Sequence, residues 1–244
     1  MDGIITILVA SRRDEDQKRI LEALPEQMDF FIIGIVKDET GAIIKSEYLK
    51  PHVLILDLQL SELNGTELVR IIRRRSPSTS IIILQDCIVN QSPVDFASLM
   101  SGISGFLLKE SDIDKLAHII KIVFLGGCYI NASITVKIIN SVTCINQITE
   151  LPENRVFSSA ERSIVVLIAQ GMTDSQIADE LNFSVGTIRN YMTEIRHKTK
   201  MKSRIEIVIY SLVSGLICME HLIMWNKNYN DAILNFGISF TNKE

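Results

Sequence analysis
The chain has 244 residues, enough for two modest domains, and an apolar fraction of 47% supplies two cores and excludes a disordered chain. The net charge is −4, so a nucleic-acid partner has to be met by a local basic patch rather than by the chain as a whole. Cys87, Cys128, Cys144 and Cys218 form no CxxC and no zinc spacing, the N-terminus carries no secretory pattern, and no run approaches the ~20 apolar residues of a bilayer span, so the expectation is a cytoplasmic protein with no membrane partner and no metal site.

The first half alternates short apolar runs with amphipathic ones. Ile4–Ala10 reads as a strand buried on both faces, Asp16–Leu24 as a helix stopped by Pro25, and Phe30–Val36 as a second strand. Thr40–Leu49 is helical up to Pro51, Val53–Asp57 (VLILD) is a third strand and Gly65–Arg75 a third helix. Ser80–Leu84 (strand), Pro93–Ser101 (helix), Gly105–Leu108 (strand) and Asp112–Leu125 (helix) complete the series. Five β-α repeats predict an α/β domain with a five-stranded, doubly wound parallel sheet, and place ligands and chemistry at the carboxyl ends of its strands. Asp57 closes VLILD and Lys109 follows GFLL, so both lie at such ends. His52 follows Pro51 and reads as a turn contact rather than a catalytic base.

Residues 132–156 read as a connector, with a β-branched helix over Ser133–Val142 and a linker containing Pro152 and Asn154. Three capping boxes follow: Ser158 with Glu161, Thr173 with Gln176, and Ser203 with Glu206. Between the second and third lies SVGTIRNYMTEIRHK, Ser184–Lys198. On a helix, Ile188, Tyr191, Met192 and Ile195 form a buried stripe, while Arg189, Asn190, Thr193 and His197 form a donor-rich outer face. A short helix, a tight turn at Asn182-Phe183 and this donor-faced helix make a helix-turn-helix, the arrangement that enters a DNA major groove. Arg189, Arg196, Lys198, Lys200, Lys202 and Arg204 face only Glu194 and form a patch suited to phosphates. The last helix, starting at Ser203 and running through Ile217, carries a second apolar stripe, Ile207, Tyr210, Val213 and Ile217, which is expected to meet a second copy. The apolar tail 218–244, with Trp225 and Phe240, is expected to pack on the protein or its dimer mate.

These words carry two resemblances. FSSAERSIVVLIAQGMTDSQIADEL, SVGTIRNYMTEIRHKTK and SRIEIVIYSLVSGLI make residues 157–217 similar to the DNA-binding domain of the LuxR/FixJ/NarL family. That implies base contacts from Arg189, Asn190 and Thr193. Residues 1–131 resemble a flavodoxin-like response-regulator receiver domain, through Asp57, Phe106 and Lys109. That family's Asp accepts a phosphoryl group, its Lys contacts it, an acidic pair after the first strand helps hold Mg²⁺, and a Ser or Thr follows the fourth strand. Here Ser11 and Arg12 stand in place of the acidic pair, and Gln85 in place of the hydroxyl. Arg12 is expected to pair with Asp57 in place of the metal. Asp14, Glu15 and Asp16, a few residues on, are expected to serve the dipole and cap of their helix rather than the metal.

The chain lacks the motifs of nucleophilic, P-loop, metalloprotease and dinucleotide enzymes. The expected function is therefore a transcriptional regulator that binds double-stranded DNA as a homodimer, independently of phosphorylation and without a cofactor. Ser184, Val185, Thr187, Lys198 and Lys200 would hold phosphates, with His197 on the same face. The alternatives are a conventional regulator phosphorylated on Asp57 by a sensor kinase, and a protein-interaction module acting through the α/β domain or the tail.

Overall fold
The computed structural model describes residues 4–24, 30–60, 65–86, 102–131, 134 and 157–217. The expected helices at Pro93–Ser101 and Ser133–Val142, the linker and the tail 218–244 lie wholly or almost wholly outside these residues.

The first domain runs β1 (Ile5–Ala10), α1 (Asp14–Glu22), β2 (Phe30–Val36), α2 (Glu39–Leu49), β3 (Val53–Asp57), α3 (Gly65–Arg75), β4 (Ser80–Gln85) and β5 (Gly105–Leu108). After a helical turn at Lys109–Asp112 come α4 (Leu116–Phe124) and β6 (Tyr129–Ile130). All neighbouring strands are parallel, in the order β2-β1-β3-β4-β5-β6. The doubly wound sheet is as expected, with one strand more. Tyr129–Ile130 is too short to show a period in sequence, and joins the edge by register with Gly105 and Phe106. The helix expected over Asp112–Leu125 is broken: Asp112 accepts hydrogen bonds from the Leu108 N–H and the Tyr129 hydroxyl, and a 3-10 turn precedes α4.

Alternation along the strands splits the core in two. Leu8, Leu54, Leu56, Ile81 and Ile83 meet α2 and α3 through Ala42, Leu68 and Ile72. Ile7, Val9, Ile55, Ile82 and Leu84 meet α1 and α4 through Ile20, Ile119, Ile120 and Val123. His52 makes the turn contact expected of it, accepting from the Thr6 N–H at 3.0 Å.

The second domain consists of α5 (Ser159–Ala169), α6 (Asp174–Leu181), α7 (Val185–Thr199) and α8 (Arg204–Val213). All three capping boxes form in both directions. Asn182, at φ 55°, turns the chain between α6 and α7, and Ser184 caps α7 by accepting from the Thr187 N–H. Ile188, Met192 and Ile195 are buried as the stripe required, and Tyr191 is half-buried against Phe183. α8 ends at Val213, short of the expected Ile217, because Gly215 turns left-handed at φ 67°.

The first core cluster continues through Cys128 and Ile130 into Phe157, Ile164 and Ile188 of the helical domain. At this junction two backbones approach closely. A Cβ on Gly127 would lie 2.6 Å from Ile122 Cγ2 and 2.9 Å from the Gly171 carbonyl oxygen of the other domain. Gly127→Ala is expected to cost about 1–3 kcal/mol through overpacking, read as a lower urea midpoint.

Candidate functional site: acidic pocket and nucleic-acid interface
The carboxyl ends of β1, β3, β4 and β5 converge on Asp57, which is 1% exposed. Asp57 Oδ2 accepts from Lys109 Nζ at 2.7 Å and from Ser11 Oγ at 3.2 Å, and its Oδ1 accepts from the Gln59 N–H at 3.0 Å. Lys109 is buried and also donates to Asp16 Oδ2 at 2.8 Å, with Asp86 Oδ1 at 3.1 Å. One ammonium thus joins three carboxylates from β3, α1 and the end of β4. Arg13 closes the mouth, with Nε 2.7 Å from Asp16 and Nη2 2.6 Å from Asp86. Gln59 Nε2 donates to Asp86 at 2.6 Å.

This corrects two expectations. Arg12 is exposed, and the cation on Asp57 is Lys109, with Arg13 rather than Arg12 turned into the pocket. Arg12 and Arg13 lie in the turn from β1 to α1, and only the second is within reach of Asp16, one helical turn on. Asp16 is not merely a dipole partner: it is buried, and its carboxylate points at Lys109. Gln85 and Phe106 are buried on β4 and β5, as their strand positions required. Asp86, Gln59 and Arg13 were missed. The clue to Asp86 was the QD pair after IIIL, a charge directly beyond a buried strand.

Burial alone would raise the Asp16 and Asp86 carboxyls, but hydrogen bonds from Lys109 and Arg13 outweigh it and hold both below the ordinary carboxylate value. Burial would lower Lys109, but Asp16, Asp57 and Asp86 hold it above its ordinary value. A cation entering this pocket would meet Asp16, Asp57 and Asp86 together with Ser11. Ser11 offers a neutral hydroxyl where a carboxylate is needed, and one oxygen of each acid already accepts from the ammonium.

In the helical domain, Arg189, Asn190, Thr193 and His197 lie exposed on α7, on a face opposite its buried stripe, and Lys200 is exposed at its C-cap. Ser184, Val185 and Thr187 sit at its start, where the Thr187 N–H is taken by the Ser184 cap and the helix N-terminus favours an anion. Lys198 departs from expectation. Its Nζ lies 2.6 and 2.7 Å from the two oxygens of the buried Glu161 carboxylate and 5.8 Å from the Phe157 ring centroid, so it fastens α7 to the cap of α5. Arg204 is likewise engaged, by Asp174 and the Met172 carbonyl. The cations left for phosphate on this side are Arg196, Lys200 and Lys202. The expected dimer stripe is also revised: Ile207 and Ile217 are buried within the chain, and Ile209, Tyr210, Leu212 and Val213 are the half-exposed apolar residues of α8. None of the helices formed by the described residues is long and apolar enough to cross a membrane.

Comparison with known proteins matches residues 13–121 to the family "Response regulator receiver domain" and residues 155–211 to "Bacterial regulatory proteins, luxR family". Oxygen regulatory protein NreC of Staphylococcus epidermidis is 30% identical, over 78% of this chain and 89% of that one. Transcriptional regulatory protein LnrK of Bacillus subtilis is 24% identical, over 87% and 99%. A solved structure of the Salmonella typhimurium RcsB response regulator is 23% identical, over 86% and 98%, with a TM-score of 0.48.

These geometries predict effects on both stability and binding. The depressed acids stabilise the fold above their unfolded value of 3.8, and that share is lost as pH falls through their lower folded values. The raised Lys109 contributes fully below 10.5, and its share is lost as pH rises through its higher folded value. Lys109→Met leaves three carboxylates crowded without their cation, and should cost about 3–5 kcal/mol at neutral pH. Urea unfolding of this variant should show a deficit that shrinks on acidification toward pH ~5, as the crowded acids take up protons. Lys198→Ala should lower the melting temperature of the helical domain without changing the salt dependence of DNA binding. Lys200→Ala should flatten the slope of log K on log[salt] by about one charge at little cost in stability.

Proposed function
The chain belongs to the response regulators that join a receiver domain to a luxR-family DNA-binding domain, and on that premise we propose that it regulates transcription by binding double-stranded DNA as a homodimer, with no phosphoryl switch and no need for Mg²⁺. The observation that carries this reading is the Lys109 ammonium, 2.7–3.1 Å from an oxygen of each of Asp57, Asp16 and Asp86. Phosphoryl transfer needs a nucleophilic oxygen free for in-line attack and a cation free to take up the developing charge. Here both oxygens of Asp57 already accept hydrogen bonds, and the nearest cation is shared among three acids. The conventional alternative, phosphorylation of Asp57 by a sensor kinase, requires Lys109 to release Asp16 and Asp86.

Arg189, Asn190 and Thr193 read bases from α7, and Arg196, Lys200 and Lys202 meet phosphates. Two copies joined through Ile209, Tyr210, Leu212 and Val213 of α8 present two recognition helices to half-sites about one DNA turn, ~34 Å, apart. Arg189 and Thr193 also face the receiver across a cleft lined by Ser104 and Gly126. A duplex therefore takes its place on α7 only when the two domains part.

The test is footprinting of the untreated protein on genomic DNA fragments, repeated with acetyl phosphate plus Mg²⁺. Protection of equal strength in both conditions, retained in Asp57→Ala, is the expected result. Protection that appears only after treatment and is lost in Asp57→Ala overturns the reading. Arg189→Ala should weaken specific binding by ~1–3 kcal/mol if its fork reads a guanine.

A further inference from the structure
We propose that the cleft between the two domains binds a small polyphosphate anion, and that the bound anion holds the recognition helix against the receiver and away from DNA. The cleft encloses about 440 Å³, within the ~300–1,000 Å³ usual for small-molecule sites. Both domains line it with cations: Arg73 from the last turn of α3, Arg189 and Arg196 from α7, and Lys202 and Arg204 from the turn into α8. The one carboxylate in the lining, Asp174, is taken by Arg204 and lies 3.9 Å from Arg189 Nε. Arg196 and Lys202 have no ion pair among the described residues.

Arg73 carries the receiver's side of the argument. Its guanidinium is half-buried and donates to the carbonyls of Pro77 and Thr79, and it has no carboxylate partner among the described residues. Burial pulls its pKa down. A cation drawn out of water without a counter-charge is costly, and an anion in the cleft removes that cost. The hydroxyls of Ser80 and Ser104 also line the cleft and have no hydrogen-bond partner among the described residues.

The lining selects the ligand class. Guanidinium forks and hydroxyls match phosphate oxygens, and no aromatic ring is present for a base to stack on. Cations stand on both walls, so the anion that fits best carries charge at both ends, as a diphosphate group does. Arg189 and Thr193 cannot face this ligand and a major groove together. By linkage, the anion and DNA must weaken each other to the same degree. That consequence rests on the DNA-binding reading; the anion site itself does not.

The probe is inorganic pyrophosphate, titrated calorimetrically into the full chain with ionic strength held constant by chloride. A single saturable site is expected, weakened roughly tenfold or more in Arg73→Ala and in Ser104→Asp, which places a carboxylate in the cleft. Circular dichroism melts establish that both variants fold. Saturating pyrophosphate should raise the apparent Kd for a footprinted DNA fragment several-fold in the natural chain and leave Ser104→Asp unchanged. Absence of saturable binding, or binding retained in both variants, overturns the proposal. The second result would mean only general attraction to the basic face. Saturable binding lost in both variants, in a chain that protects no DNA, sustains the anion site and sinks the DNA reading instead.

Discussion
The N-terminal domain depends on one ammonium. Lys109 sits in a place that water scarcely reaches, and its three partners arrive from different parts of the chain: Asp16 on α1, Asp57 closing β3 and Asp86 beyond β4. Each carboxylate would be costly to bury alone, and together they would repel one another. The ammonium makes their convergence tolerable and thereby helps fix where α1 sits on its face of the sheet and where the chain leaves β4. On the solvent side Arg13 and Gln59 both donate to Asp86 Oδ2.

The helical domain divides its basic residues by the same accounting of partners. Sequence alone presents Arg189, Arg196, Lys198, Lys200, Lys202 and Arg204 as one cluster. Packing separates them: Lys198 and Arg204 lock α7 and α8 onto the caps of α5 and α6, whereas Arg196, Lys200 and Lys202 stay available. Glu161 therefore does two jobs, capping the start of one helix and anchoring another, and Asp174 anchors α8 from the first turn of α6.

Much of this was legible in the residues. VLILD and IIIL announce doubly buried strands by composition, and the S-x-x-E and T-x-x-Q words start helices at the positions observed. Asp57, Ser11, Gln85 and Lys109 fall where their strands end, and Phe106 lies within β5. What stayed hidden depended on which neighbour a side chain meets through space. Arg12 and Arg13 are adjacent and chemically identical, and only the path of the β1-α1 turn decides which one reaches Asp16. Asp16 reads as a first-turn acid, because its partner Lys109 lies 93 residues away. β6 has two residues and no period to read. Ile207 and Ile217 looked like an unpartnered stripe until the left-handed turn at Gly215 brought Ile217 back, its N–H donating to the Ser211 carbonyl.

Cys128 lies where the two domains meet, lining the cleft and feeling the charge of Arg204 from the other side. Burial pushes its thiol up to about 11, so almost none is thiolate at neutral pH while the junction is closed. Separation of the domains would return it toward ordinary acidity and expose it to reagents. The rate at which an alkylating agent consumes this sulfur is then a clock for opening.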